Sequence, residues 1–415
     1  MPASVQRRSA LWCLCPMAIG VCAATTSSVW CQELPVEPSQ SHATAPTQPD
    51  TAGRRTVLAR AGDDHILVID DDAQHTIHRR NLRAALSAVP VFSPEGTHAF
   101  FATEQGWLSK LDLQMLHTSA ETHMGGRIRH IALSGNGKYL VIADDDTHRL
   151  TVLDSDLKPL KSLPITSRDG LRNSRVQSIH AVPSRQSFVV ALRDIPEVWE
   201  ISYNPAAPEI PLGVVHDFQY REGAFAPGFL NPVRTALPHP VEDFALGADG
   251  NSFVTTTPGT NEATLVHLDV RRAIARWTQP QRLRLDAAYT WRRQGHPVLA
   301  APSLDGRSIV VIGLDDGQTI LTIPVVGALE RAFGHKSADH IWVLANSGLQ
   351  TLTIIDKNTL KVVEHITAPS EASIRHVVFS HDGRQVYAED TTGTVRIFDE
   401  SSLTERRSAT AAAHQ

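Results

Sequence analysis

All four cysteines, Cys13, Cys15, Cys22 and Cys31, fall at the very start of the chain. From Gln32 to Gln415 there is none. That stretch therefore holds no disulfide, thiolate zinc site, iron–sulfur cluster, thiol nucleophile or covalent C-x-x-C-H haem. Any chemistry there must use histidine, arginine, carboxylates and aromatic rings. The chain has 20 histidines, enough for metal or acid–base work. His42, His75, His78 and His414 sit in polar or terminal segments and read as solvent-facing. The runs Asp70-Asp71-Asp72 and Asp144-Asp145-Asp146 offer oxygen ligands without the spacing of a calcium loop, so they read as solvated turns. There is no Gly-x-Ser-x-Gly, His-Glu-x-x-His or phosphate loop. A net charge of −5 gives no footprint for nucleic acid or an anionic membrane.

The elements that must position these groups are short strands. No stretch keeps a long helical period. A recurring element is an apolar pair closed by aspartate: Val68-Ile69-Asp70, Lys110-Leu111-Asp112, Val152-Leu153-Asp154, His267-Leu268-Asp269, Ile354-Ile355-Asp356 and Ile397-Phe398-Asp399. Glu200-Ile201-Ser202 and Leu321-Thr322-Ile323 fill the gaps as degenerate copies. About 17 residues before several copies sits a tight turn, as is usual between strands of one repeat unit. Ser93-Pro94-Glu95-Gly96, Ser134-Gly135-Asn136-Gly137, Ser303-Leu304-Asp305-Gly306 and Ser380-His381-Asp382-Gly383 are examples. Four antiparallel strands per unit of about 40–50 residues define a propeller blade. The reading is an all-β, eight-bladed β-propeller, with seven blades as the alternative. The gap between Ser202 and Asp269 is expected to hold an insertion. Because loops of every blade converge on one channel mouth, a site here is assembled from residues far apart in sequence.

Residues 1–24 read as an export signal. Arg7 and Arg8 precede the apolar run Ala10 to Ala24, which is shorter than the about 20 residues of a membrane span. The expected location is periplasmic, with a lipid anchor on Cys22 or Cys31 poorly supported by the residues before them. Residues 25–55 read as a flexible Pro/Ser/Thr linker, 56–405 as the propeller and 406–415 as a disordered tail.

Three stretches carry a family resemblance. They are Ala191-Leu-Arg-Asp-Ile-Pro-Glu-Val-Trp-Glu-Ile-Ser-Tyr203, Val215-His-Asp-Phe-Gln-Tyr-Arg-Glu-Gly continuing through Pro227 to Arg234 and Glu242-Asp243-Phe244, and Trp291-Arg-Arg-Gln-Gly-His-Pro-Val-Leu-Ala-Ala-Pro302. Together with Ile374 to Ser380 they resemble the haem d1 propeller of cytochrome cd1 nitrite reductases. The relatives they look most like are the NirF and NirN proteins of haem d1 biosynthesis. The resemblance implies a non-covalent tetrapyrrole, haem d1 or a precursor, over the central channel. It implies arginines for the carboxylates, aromatic walls for the ring and a histidine for iron.

Carried onto this sequence, the cofactor-binding candidates are Arg129, Arg193, His216, Tyr220, Arg221, Arg234, His239 and Trp291. His376 and His130 are the candidates for iron ligand or acid/base. Arg129 takes the register of a family axial histidine, with His130 one residue on. Arg284 stands where relatives carry a Pro-His. The shortened C-terminus leaves Thr56 to Ala61 available to pair with the last blade. Without C-x-x-C-H there is no haem c, and a complete cytochrome cd1 reductase is excluded. If chemistry occurs, the relatives imply an oxidoreductase-like step on a haem d1 precursor. Expected partners are the tetrapyrrole and possible maturation proteins or nitrite reductase, with no nucleic acid. The alternative is a cofactor-free periplasmic scaffold.

Overall fold

The computed structural model describes residues 54–217, 222–325, 327–346, 351–367 and 373–410. They form eight antiparallel sheets arranged as the blades of a propeller, plus one separate hairpin. There is no α-helix among the described residues. Blade 1 comprises Arg55–Leu58, His65–Asp70 and His75–Asn81. Blades 2 to 8 have four strands each. Their first strands are Val91–Phe92, Ile128–Leu133, Val176–Val182, Phe244–Leu246, Tyr289–Arg293, Ala328–Phe333 and Ile374–Phe379. The hairpin Ile210–Asp217/Glu222–Ala226 is the expected insertion, placed between the third and outer strands of blade 4.

The repeated aspartate has a structural job. It ends the third strand, and its Oδ1 accepts the backbone N–H groups two or more residues on. Asp70, Asp112, Asp154, Asp356 and Asp399 all do this. The motif is thus an Asx-turn that starts the hairpin to the outer strand. Two assignments of the repeat need correction on this basis. In blade 5 the equivalent residue is His267, whose Nδ1 accepts the Asp269 N–H at 3.2 Å, so Asp269 itself is out of register. In blade 6 the third strand is Ser308–Gly313, and Leu321-Thr322-Ile323 lies in the outer strand Thr319–Pro324. The turn Ser303–Gly306 likewise joins the second and third strands of that blade. At Ser202 the hydroxyl accepts the Asn204 N–H and replaces the carboxylate.

Alternating apolar residues bury both faces of each blade against its neighbours. Eight apolar clusters result among the described residues, one at each blade-to-blade junction. Trp199 and Trp342, both fully buried, fill the 3–4 and 7–8 junctions.

Ring closure differs from the expectation for Thr56 to Ala61. Strand Arg55–Leu58 pairs with His65–Asp70 of its own blade and meets blade 8 only through side chains. By register with Asp70 it is a second strand, so no described strand fills the first position of blade 1. Closure rests on Leu58, Leu67 and Ile69 packing on Tyr387, Val395 and Ile397. Polar contacts reinforce it. The Tyr387 hydroxyl donates to Asp71 Oδ1 at 2.7 Å, and the Gln385 side-chain amide donates to the Asp71 carbonyl at 3.0 Å. Arg375 lies 3.3 Å from Asp63 and Arg54 2.8 Å from Asp382. The segment expected to be tail from 406 begins as the outer strand of blade 8, Glu405–Thr410.

Candidate functional site: the central cavity

First strands run along the channel, and their exposed polar residues face one cavity of about 690 Å³. Blades 3 and 4 contribute Arg129, His130, Gln177, Ser178 and His180. Blades 5 to 7 contribute Phe244, Tyr289, Thr290 and Arg331, with Asp243 and Asp286 beside them. The volume falls within the range of small-ligand and cofactor pockets, about 300–1,000 Å³. A smaller adjoining cavity of about 210 Å³ shares Gln177, Asp243 and Asp286 and is lined by Arg282 and Arg284.

Burial holds the His130 ring's pKa down to about 4, with the Val176 backbone opposing and Arg129 adding to the effect, so it stays neutral at physiological pH and keeps a ring lone pair. His180, on the next first strand, is also held down to about 4 by burial, with His130 adding to the effect. Its ring stacks on Phe244 at 5.2 Å between centroids, and its Nε2 is buried without a partner. Asp243 is pushed up to about 7 by burial and by Asp286. Its carboxylate accepts backbone N–H groups of Phe244, Leu285 and Asp286, and so pins the short 3-10 turn Leu285–Ala287 to the cavity wall.

The structure brings some of the expected residues together and separates others. Arg129 and His130 are adjacent at the cavity. Arg129 lies 3.3 Å from Asp145, whose carboxyl burial pushes up against the pull of Arg129, Arg175 and Arg193. Arg193 is exposed, acts on the same Asp145 as Arg129, and does not line the cavity. Arg175, paired with Asp194 at 2.7 Å, completes the cluster and was not expected.

Arg234 is elsewhere. It lies on the outer strand of blade 4, 4.4 Å over the Trp199 ring and bonded to the Thr166 carbonyl, far out along the blade from the channel. Trp291 is a packing residue: it is 6% exposed, its Nε1 donates to the Lys357 carbonyl, and it belongs to the junction of blades 6 and 7. His239 is exposed in the connection between blades 4 and 5. His216 falls in the hairpin strand Ile210–Asp217 with its side chain outside the described residues, and Tyr220 and Arg221 lie outside them altogether. Arg284 donates to the Leu329 carbonyl in the wall of the smaller cavity.

His376 sits in the first strand of blade 8, edge-on to Phe333, and does not line the central cavity. It is 8% exposed, and its Nε2 has no partner. Burial pushes its pKa down to about 4, with Arg60, Arg375 and Arg331 adding to this and Asp63 opposing it. In the unfolded chain a histidine titrates near 6.5. Stability from the neutral ring is therefore complete above that pH and lost as pH falls through it towards 4. We expect His376→Leu to remove this loss. Urea unfolding of the variant and of the natural protein at pH 7 and 4.5 should diverge by about 2–3 kcal/mol at the lower pH, in favour of the variant. Equal pH slopes would show that His376 is hydrated or paired.

This is an all-β propeller whose blades converge on a cavity of imidazole, guanidinium and aromatic groups. It belongs to the Cytochrome D1 heme domain family, which it matches over residues 53–413. Among curated proteins it is similar to the Dihydro-heme d1 dehydrogenase of Pseudomonas aeruginosa, with 28% identity over 84% of this chain and 67% of that protein. It is also similar to Protein NirF of the same organism, with 24% identity over 81% of this chain and 83% of the relative. A solved structure of Dihydro-heme d1 dehydrogenase NirN in complex with DHE superposes with a TM-score of 0.74 at 26% identity, covering 88% of this chain and 76% of that one.

Proposed function

We propose that the central cavity binds a haem d1-type tetrapyrrole without covalent attachment and that the protein serves haem d1 maturation or delivery. The carrying observation is His130: an imidazole at the cavity wall that burial keeps neutral, the form in which a histidine coordinates a metal. His130 would hold the iron, and Arg129, Arg175 and Arg193 would meet ring carboxylates at the rim. Such a group, when bound, supplies the redox and ligand-binding chemistry of its iron. The chain's own residues orient it, screen it from water and keep neutral imidazoles beside it.

The titrated complement supports binding over a cofactor-free scaffold, because the cavity is open and carries Arg129, His130, His180 and Arg331. The reading of residues 1–24 as an export signal supports work in the periplasm, where maturation proteins or a nitrite reductase would be its partners. A visible-spectrum titration of the purified chain with haem d1 or its dihydro precursor tests it. We expect saturable shifts of the porphyrinoid bands at one equivalent per chain. An unshifted spectrum, where a known haem d1 protein saturates, would overturn the reading.

A further inference from the structure

On four blades the first strand carries the same bulge near its start. The register shifts between Ile128 and His130, Val176 and Ser178, Leu329 and Arg331, and Ile374 and His376. Such a bulge re-aims the side chain that follows it. The residue past the bulge is polar each time: His130, Ser178, Arg331 and His376. These four stand at one register, hence at one level of the channel. In an eight-membered ring, blades 3 and 7 are opposite, as are blades 4 and 8. His130 therefore faces Arg331 across the channel, and Ser178 faces the side of His376. Three of the four line the central cavity, and His376 does not.

A set of polar groups at one level suits a flat ligand lying across the channel over them, with His130 beneath the ring and the other groups nearer its rim. Two of the groups are available for that. Arg331 is exposed into the cavity and spends only one described hydrogen bond, from Nη2 to the Asp286 carbonyl at 3.0 Å. Ser178 Oγ is buried without a partner. A buried hydroxyl of this kind is costly unless something bonds it. The nearby Asp243 carboxylate does not compete for Arg331, because it is filled by backbone N–H groups.

We propose that Arg331 and Ser178 are specificity-determining residues of the cavity, each of which reads a carboxylate on the rim of a planar macrocycle lying over the bulge level. The proposal rests on the tetrapyrrole reading above. Its test uses the full chain with iron protoporphyrin IX, whose rim carries carboxylates, and with the dimethyl ester of the same compound. Arg331→Gln is expected to weaken the acid form about tenfold or more, the size of a lost charge-assisted bond. Ser178→Ala should weaken it about tenfold, as for a hydroxyl bonded to a carboxylate. Both variants should lose clearly less affinity for the ester, whose carbonyl accepts but carries no charge, and Arg331→Lys should restore part of the loss.

Unchanged affinity of both variants for the acid form would overturn the proposal, and so would an equal loss for acid and ester. Those results leave the tetrapyrrole reading standing. A natural protein that binds neither compound nor haem d1 would overturn both. Thermal melts check folding, and Ser178→Ala, nearly isosteric, carries the test if Arg331→Gln disturbs the Asp286 turn.

Discussion

Tyr387→Ala is expected to lower the unfolding free energy by about 3–5 kcal/mol, the usual loss when a buried aromatic side chain is truncated. Few positions carry more. The ring closes between blades 8 and 1 without a shared strand, so this junction depends on side chains alone. Tyr387 is fully buried there, packed with Leu58, Leu67 and Ile69, and its hydroxyl reaches Asp71. Tyr387→Phe should cost less, on the order of 1–2 kcal/mol, because only the hydroxyl's contacts with Asp71 and Gln385 are lost. Asp71 adds a pH signature. Burial pushes its pKa up to about 6, although Tyr387 and Thr56 donate to it. An unfolded aspartate titrates near 3.9. A raised carboxyl favours the folded state while protonated, so its ionisation costs stability as pH rises from about 4 to 6, by about 3 kcal/mol in full. Asp71→Asn removes that cost. Guanidinium unfolding at pH 4 and 7 should show the variant gaining on the natural protein only at the higher pH. A constant difference across that range would mean that Asp71 is not desolvated at the junction.

The fold was legible because its signals are local. An aspartate that nucleates the third-to-outer hairpin recurs in five of the eight blades, and apolar alternation on both sides of it specifies strands buried on two faces. The repeat misled where chemistry was substituted while the turn was kept. His267 and Ser202 accept the same backbone N–H groups without being aspartate, and Gly313 leaves the job to Asp316. Ring closure was not legible, since pairing of Thr56 to Ala61 with blade 8 or with its own blade looks the same in sequence. The site was legible only in part. Arg129 and His130 stood out by register with relatives. Arg234 and Trp291 had suitable residue types, but a blade is four strands deep, and sequence does not say at what depth a side chain sits. His180, Ser178 and Arg331 were missed. The signal for the last two was present in the triplets Val-Gln-Ser at 176–178 and Leu-Glu-Arg at 329–331, which match Ile-Arg-His at 128–130 and 374–376. An apolar residue followed by two polar ones is the mark of the bulge, visible once the blades are aligned on the third strand.

His130→Ala is expected to weaken binding of the iron tetrapyrrole about 100-fold, at or above the upper end of what loss of a supporting group does to a metal site. Arg129, the neighbour in better register with the relatives' histidine, cannot substitute, because a guanidinium has no lone pair to give. It is also engaged with Asp145. His376 cannot substitute either, because it does not line the cavity. So His376→Leu should bind normally, and the two histidines separate by spectrum: only His130→Ala should lose the signature of an imidazole-ligated iron, with added imidazole restoring it. The pH profile distinguishes His130 from an ordinary exposed histidine. Coordination needs the neutral ring, and protons compete only near its own pKa. Since burial holds that to about 4, affinity should be flat from pH 8 to 5 and fall only below. An exposed ligand would begin to weaken near pH 6.5. A loss of about tenfold between pH 7.5 and 5.0, more than one unit of free energy per proton allows for a buried ring, would therefore place the iron on a different side chain.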